Sequence, residues 1–161
     1  MRILLTDAGK RYNRDWIFRH FNYHFESGQS YAITGPNGSG KSTLLQVLSG
    51  GVMMSEGKAE WKNENSTIES EKVYRHIAIC APYLELVEEM TLNEFLAFHQ
   101  QFKSFLPGIT TEKIVGILGL EKAANKQIRY YSSGMKQRAK LAQCIFSDTA
   151  IVLLDEPCTN L

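Results

Sequence analysis

The stretch Gly35-Pro36-Asn37-Gly38-Ser39-Gly40-Lys41-Ser42-Thr43 constrains the fold of this chain more than any other feature. It fits the template G-x-x-x-x-G-K-[ST] at every fixed position. Residues 29–34 before it alternate and then become apolar, which predicts a strand entering a buried parallel sheet. Residues 43–49 after it predict a helix that ends at Gly50-Gly51. A strand, a glycine-rich loop and a helix in this order predict an α/β core.

The predicted chemistry of this loop is the capture of an anion. Glycines let consecutive backbone N–H groups point inward, and the helix that follows adds roughly half a positive charge at its N-terminus. Lys41 would reach the β- and γ-phosphates, and the Ser42 hydroxyl would ligate the bridging Mg²⁺. The alternative is a strand-to-helix turn with an incidental lysine, and both flanking segments count against it. We expect nucleotide contacts from Gly35, Pro36, Asn37, Gly38, Ser39, Gly40, Lys41, Ser42 and Thr43.

Composition sets the class of protein. The 161 residues carry a formal net charge of +1, which gives no electrostatic case for nucleic acid. No apolar run reaches the roughly 18 residues needed to cross a bilayer, and the N-terminus lacks a signal-peptide core. Cys80, Cys144 and Cys158 have no metal-ligand spacing and predict reduced thiols in a cytosolic protein. We therefore expect a single soluble globular domain spanning residues 1–161.

The N-terminal residues predict a small antiparallel β part. Ile3–Thr6 is a short apolar strand, Lys10–Asp15 is a polar turn, and Trp16–Phe25 alternates as a half-buried strand. Tyr12, in the predicted turn, is either an ordinary turn residue or an aromatic that stacks on a nucleotide base.

Strand-like segments continue after the loop helix. Gly57–Lys62 predicts a strand, Asn63–Ser70 a polar loop, Glu71–Arg75 one helical turn and His76–Ala81 a buried strand. Pro82 ends this last strand.

Helical periodicity then takes over, and it predicts a helical subdomain inserted at about residues 83–140. Thr91 and Glu94 form a capping box that opens a helix through about residue 103, and a second helix covers Thr111–Leu118. His99 fits a solvated or interface histidine better than a metal ligand, because no partner lies at metal-ligand spacing.

Two further elements carry candidate functional residues. Ser132 opens a long helix through about residue 147, and by itself it reads as a serine N-cap followed by a basic, solvated helix face. Residues 150–154 predict a central parallel strand that ends in Asp155 and Glu156. Open α/β sheets bind ligands at that end of their strands, so Asp155 is expected beside the Mg²⁺ and Glu156 near the γ-phosphate.

The order of these elements resembles the nucleotide-binding domain of ATP-binding cassette (ABC) ATPases over the whole chain. Tyr131-Ser132-Ser133-Gly134-Met135 is similar to the family signature Leu-Ser-Gly-Gly-Gln, with Ser132 and Gly134 matching and Ser133 and Met135 departing from it. The resemblance implies an α/β P-loop NTPase core with a mainly parallel sheet, an N-terminal antiparallel β part and an inserted α-helical subdomain.

The resemblance also implies roles for individual residues. Tyr12 matches the aromatic that stacks on adenine, and Glu156 matches the general base, with Lys41 as its catalytic partner at the phosphates. Ser132, Ser133 and Gly134 would contact ATP bound to a second copy in a head-to-tail dimer. Ser42 and Asp155 would hold Mg²⁺.

Two departures from the family pattern affect the expected activity. Pro82 stands where the family has a glutamine, with Tyr83, Glu85 and Glu88 as possible substitutes, and the chain ends before the family's switch histidine. The resemblance therefore implies a C-terminally incomplete cassette that binds nucleotide better than it hydrolyses it.

The function implied is the ATP-hydrolysing subunit of an ABC transporter. It would dimerise with itself or a homologous cassette, and it would lie on the cytoplasmic face of the membrane, docked to an integral membrane subunit through residues 83–90 and the following helix. The alternatives are a soluble ABC ATPase without a transport role and a nucleotide-binding fragment with little or no hydrolysis.

Overall fold

The computed structural model describes residues 1–64 and 66–159. The chain divides into two compact units, Met1–Ile77 and Ala78–Leu161. The predicted mixture of helices and strands, with an antiparallel N-terminal sheet and parallel strand pairing, is confirmed. The antiparallel part is larger than predicted, since it holds four of the six described strands.

The first unit is built on a four-stranded antiparallel sheet. The strands are β1 (Arg2–Tyr12), β2 (Asp15–Phe25), β3 (Glu56–Lys62) and β4 (Thr67–Ile68), and they lie in the order β2-β1-β3-β4. Alternation of apolar and polar residues places Ile3 and Leu5 of β1 in the core, where each is 1% exposed.

The N-terminal hairpin is longer than the sequence predicted. Tyr12 pairs with Asp15, so the connection between β1 and β2 is Asn13-Arg14 rather than the whole of Lys10–Asp15. Asn13 has a φ of 53°, a conformation that asparagine tolerates better than most residues. Tyr12 is therefore a strand-end residue and not a turn residue.

Helix α1 (Lys41–Leu48) follows the glycine-rich loop as predicted. Its buried residues are spaced as one apolar face: Leu44, Leu45, Val47 and Leu48. The indole N–H of Trp61 in β3 donates to the Leu48 carbonyl at 2.8 Å, which satisfies one of the orphan carbonyls at the end of the helix.

The strand predicted for residues 29–34 is wrong, because these residues do not form a strand in the structure. Tyr31 is 41% exposed, and its ring instead packs edge-on against Phe25 and Tyr23, with centroids 5.1 and 5.9 Å away. Its hydroxyl also accepts the Glu26 N–H at 2.8 Å. Alternation identifies a segment able to form a strand, but a strand also needs a hydrogen-bonded neighbour.

The second unit has a helical core. Its helices are α2 (Leu92–Gln100), α3 (Thr111–Leu118) and α4 (Ser133–Ile145), and they surround an apolar cluster. The cluster includes four fully buried residues: Leu92, Leu96, Ile114 and Ile128. The Thr91–Glu94 capping box is present, with the Glu94 N–H donating to Thr91 Oγ1 and the Thr91 N–H donating to Glu94 Oε2. The predicted bounds of α3, with Gly119 at its end, are confirmed.

Strands β5 (Ile77–Cys80) and β6 (Ile151–Leu154) pair beside α4. Leu141 of α4 packs on a small buried cluster of Ala78, Cys80 and Cys144. All three cysteines are free thiols. Burial raises the pKa of Cys80, and it raises the pKa of Cys144 to about 12, so both buried thiols stay protonated and unreactive near neutral pH.

His99, which the sequence presents as a solvated or interface histidine, is half-buried within the second unit. Its Nε2 lies 2.7 Å from Ser147 Oγ, and its ring stacks on Phe105 with centroids 5.8 Å apart. Desolvation, and then the charge of Lys103, lowers the pKa of His99. The neutral imidazole is a packing and hydrogen-bonding group here.

Candidate functional site

The glycine-rich loop of the first unit is open to solvent and leads into α1. Gly35 to Ser39 are exposed, and α1 has neither a side-chain cap nor an acidic residue in its first turn. The N-terminal N–H groups of a helix need acceptors, and here no carboxylate of α1 supplies one. This end of α1 therefore favours an anion from outside the chain.

At two of the loop glycines, a side chain would meet a close neighbour. A Cβ on Gly35 would lie 2.7 Å from Ser39 Oγ, and a Cβ on Gly40 would lie 2.5 Å from Ile17 Cγ2. Gly40 also has a φ of 90° and serves as the N-cap of α1. The loop thus turns tightly against its own serine and against strand β2.

Lys41 is positioned by the loop that it follows. Its Nζ donates to the carbonyl oxygens of Gly35 and Pro36, both at 2.9 Å. An ammonium group has three N–H donors, so one remains for a further acceptor above the loop. The positive charge of Lys41 consequently stands over the same loop whose N–H groups attract an anion.

Tyr12 also belongs to the first unit and is 44% exposed. Lys10 Nζ lies 4.8 Å from the Tyr12 ring centroid and donates to the Met53 carbonyl at 2.8 Å. The lysine covers one face of the ring by a cation–π contact. The exposed remainder of the ring is suited to a flat, aromatic ligand, so stacking on a base stays a prediction.

The two predicted carboxylates follow β6 in the second unit and differ in environment. Asp155 is 6% exposed, and its N–H donates to the Cys80 carbonyl at 2.8 Å, which extends the β5–β6 pairing by one residue. Glu156 is exposed and has a φ of 46°, in the left-handed region. One carboxylate is thus held beside the sheet and the other is turned towards solvent.

Ser132, Ser133 and Gly134, the predicted signature residues, form the start of α4. Ser132 is the N-cap, and its Oγ accepts the Met135 N–H at 3.3 Å. Ser132 and Ser133 are exposed, whereas Tyr131 is buried with its hydroxyl donating to the Ala123 carbonyl at 2.8 Å. Tyr131 therefore anchors this element, and the following residues present a helix N-terminus to solvent.

The basic residues of α4 do more than cover a solvated face. Lys136 Nζ lies 2.6 Å from Glu88 Oε1, Lys140 Nζ donates to the Pro82 carbonyl at 3.4 Å, and Arg138 donates to the Leu118 carbonyl at the end of α3. The first two contacts tie residues 82–88 to α4. Glu88 is thus engaged by Lys136, which argues against it as the substitute for the glutamine absent at position 82.

The prediction from sequence missed Gln137. This residue is only 9% exposed, and its Nε2 donates to the Pro157 carbonyl at 2.8 Å. The signal was its spacing, because Gln137, Leu141 and Cys144 recur at i, i+4 and i+7 on one helix face. A glutamine on an otherwise apolar stripe indicates a buried hydrogen bond.

Among residues 1–64 and 66–159, no group of three or more histidine, cysteine, aspartate or glutamate side chains could hold a metal. Mg²⁺ does not need such a group, because it usually binds one or two protein oxygens plus substrate phosphates and water. Within the described part of the chain, no helix is both long and apolar enough to span a bilayer.

Comparisons with known proteins agree with this arrangement. A sequence model of the family described as ABC transporter matches residues 18–159. The chain is 32% identical to the uncharacterized ABC transporter ATP-binding protein YhcH of Bacillus subtilis, over 98% of this chain and 52% of that protein. It is 32% identical to the cytochrome c biogenesis ATP-binding export protein CcmA of Xylella fastidiosa, over 90% of this chain and 65% of that protein.

The fold is similar to a solved cassette. The dimeric structure of MJ0796, titled a bacterial ABC transporter cassette, matches with a TM-score of 0.80 and 22% identity, over 99% of this chain and 75% of that one. The chain spans about half the length of YhcH and of a second B. subtilis relative, YxlF.

The fold and the glycine-rich loop thus define a nucleotide-binding ATPase cassette. The chain belongs to the ABC transporter family, and the relatives above carry the name of ATP-binding proteins.

Two loop glycines allow the cost of a left-handed backbone conformation to be measured separately from the cost of a steric clash. Gly38 has a φ of 79° with no atom within 4 Å of an added Cβ, whereas Gly40 combines a φ of 90° with the Ile17 contact. Gly38→Ala should cost only the left-handed conformation, about 1–2 kcal/mol. Gly40→Ala should cost about 1–3 kcal/mol more, because the Ile17 side chain must also shift to accommodate the methyl group. Urea unfolding of the two variants measures the difference, and equal losses of unfolding free energy would show that Ile17 does not crowd Gly40.

Proposed function

We propose that this chain is the ATP-binding and ATP-hydrolysing part of an ABC transporter subunit, in which ATP closes a head-to-tail dimer and hydrolysis reopens it. The observation that carries the proposal is the loop at Gly35–Thr43. Its exposed residues lead into a helix N-terminus without an acidic side chain, and two carbonyls hold the Lys41 ammonium above it. This combination of amides and one cation suits a triphosphate.

The remaining residues would then have complementary roles. Ser42 and Asp155 are the residues that would hold Mg²⁺, which would supply positive charge to neutralise the phosphates. Glu156 would accept a proton from the attacking water, and Tyr12 would stack on adenine. Phosphoryl transfer needs little covalent chemistry from the protein, so positioning and charge neutralisation by these groups suffice.

The exposed N-terminus of α4 would serve the partner's nucleotide. Ser132, Ser133 and Gly134 offer a hydroxyl and backbone N–H groups at a helix start, which is the chemistry that binds a phosphate. The dimer in the solved cassette structure supports this use of a cassette surface.

The transport role places the chain beside a membrane. The relatives are named as ATP-binding proteins of an ABC transporter and of an export system, which supports a membrane-embedded partner. With such a partner, the chain would lie on the cytoplasmic face. Residues 83–90 are the proposed docking segment: Tyr83 and Val87 are 45% and 42% exposed, and Lys136 fixes Glu88 to α4. Partner binding there would reach the helix that begins with Ser132.

The experiment that tests this proposal compares two substitutions at Ser132. Asparagine and aspartate are both good N-caps, so both should preserve α4. Only Ser132→Asp adds a negative charge, and two like charges about 4 Å apart repel by about 4 kcal/mol at an effective dielectric constant of about 20. We expect Ser132→Asp to weaken ATP-dependent dimerisation by about 100-fold or more, and Ser132→Asn to change it by less than about tenfold.

Sedimentation velocity with Mg²⁺ and ATP, in a Glu156→Gln background that preserves the nucleotide, measures this dimerisation. Thermal melting of each variant serves as the control for folding. Dimerisation of the Ser132→Asp variant at the parental affinity would contradict the proposed role of the α4 N-terminus, and a parent that stays monomeric would contradict the dimer itself.

A further inference from the structure

The Gln137 side chain joins α4 by a hydrogen bond to the segment that follows Glu156. Its Nε2 donates to the Pro157 carbonyl at 2.8 Å, and the residue is 9% exposed. A buried amide of this kind is costly to leave unpaired, so the bond is well specified. It lies outside the roles already given to the loop, the carboxylates and the start of α4.

Glu156 needs outside support for its backbone. Its φ of 46° lies in the left-handed region, which residues other than glycine rarely adopt. Such conformations persist when the surrounding structure holds them in place, and they are concentrated at functional sites. The contacts around Glu156 therefore decide where its carboxylate points.

Contacts on both sides hold Glu156 in this conformation. On the N-terminal side, the Asp155 N–H donates to the Cys80 carbonyl at 2.8 Å. On the C-terminal side, the Thr159 N–H donates to the Glu156 carbonyl at 3.1 Å and Thr159 Oγ1 lies 3.3 Å from Glu156 Oε2. Gln137 adds a fixed point at Pro157, whose own φ is restricted by its ring.

The helix that carries Gln137 is itself firmly packed. Leu141 and Cys144, on the same face of α4, belong to the buried cluster around Cys80, and Cys80 is the residue that accepts the Asp155 N–H. The two anchors of Glu156 thus belong to one packed assembly of β5 and α4. The residues on either side of Glu156, Asp155 and Pro157, are therefore each hydrogen-bonded to this assembly.

We propose that Gln137 is a positioning residue for the Glu156 carboxylate. Its amide fixes the Pro157 carbonyl, which keeps Glu156 in the left-handed conformation and directs the carboxylate. The inference rests on the proposed function, because it assigns to Gln137 the orientation of the proposed base. It requires no contact between Gln137 and nucleotide.

The test replaces the amide by a side chain of similar shape without a donor. Gln137→Met should lower kcat for ATP hydrolysis by at least about tenfold while the KM for ATP stays within about twofold, since a small misplacement of a reacting group affects mainly the chemical step. Gln143→Met, at a half-buried glutamine of the same helix, is the matched control and should keep parental kcat and KM.

A second measurement does not depend on turnover. Amide hydrogen exchange at Thr159, whose N–H is bonded to the Glu156 carbonyl, should accelerate at least about tenfold in Gln137→Met, while amides of α2 exchange at the parental rate. Faster exchange throughout the second unit would instead indicate a merely structural role and would overturn the proposal, as would parental exchange at Thr159.

Measuring Glu156→Gln in the same assays distinguishes a failure of the positioning role from a failure of the proposed function. If Glu156→Gln abolishes turnover and Gln137→Met hydrolyses ATP at the parental rate, only the positioning role is refuted. If Glu156→Gln itself hydrolyses at the parental rate, the base assignment is refuted, and the exchange at Thr159 still reports whether Gln137 holds the segment.

Discussion

Replacing Glu156 by glutamine should leave ATP binding intact and lower ATP hydrolysis by about 10²–10⁴-fold. A positioned general base contributes about this factor, and an amide cannot accept the proton of the attacking water. The loss corresponds to about 3–5 kcal/mol of activation free energy. Glutamine has the shape of glutamate, so the left-handed backbone at position 156 should be retained. Phosphate release gives the rate, and calorimetry gives the affinity for Mg²⁺-ATP.

Glu121→Gln provides the control for this substitution. Glu121 is exposed in the second unit and has no proposed role in hydrolysis, so this variant should hydrolyse ATP at the parental rate. Parental hydrolysis by the Glu156→Gln variant would mean that another group activates the water.

Replacing Lys41 by alanine should weaken the binding of Mg²⁺-ATP by about 10- to 150-fold. The ammonium group is the one cation held directly over the described loop, and a charge-assisted contact to phosphate is worth about 1.5–3 kcal/mol. The substitution also frees the carbonyls of Gly35 and Pro36, which relaxes the loop. Both consequences act in the same direction, and titration calorimetry measures their sum.

Lys58→Ala is the matched control for the loss of a positive charge. Lys58 is an exposed residue of β3, in the same unit as the loop, and its removal changes the net charge by the same amount. We expect this variant to bind Mg²⁺-ATP within about twofold of the parent, because an exposed charge outside the site is screened by salt. Equal weakening by both substitutions would show that the effect of Lys41 is only a general one of charge.

Elements set by local chemistry could be predicted closely from the sequence. The capping box at Thr91 and Glu94 and the glycine after α3 specify helix ends through contacts between near neighbours, and the structure places these ends as predicted. Alternation in residues 16–25 likewise identified β2. The strand predicted for residues 29–34 is wrong because a strand needs a hydrogen-bonded neighbour, and a local sequence pattern does not show whether one is present.

The candidate site shows the same division. The loop at Gly35–Thr43 is a contiguous motif, so its helix and its tight turns followed from the sequence. The hydrogen bond from Gln137 to Pro157 joins residues 20 positions apart and needs the packing of α4 to be seen. The contact between His99 and Ser147 could not be predicted for the same reason, since the two residues lie 48 positions apart.

Titration calorimetry of the parent chain with ATP and Mg²⁺ is the most direct test of the claim that the loop beside α1 cradles a triphosphate. The account predicts one saturable site whose affinity is weakened in Lys41→Ala and retained in Lys58→Ala and Glu156→Gln. A folded parent chain that shows no heat of binding at millimolar Mg²⁺-ATP, or a Lys41→Ala variant that binds with parental affinity, would contradict it.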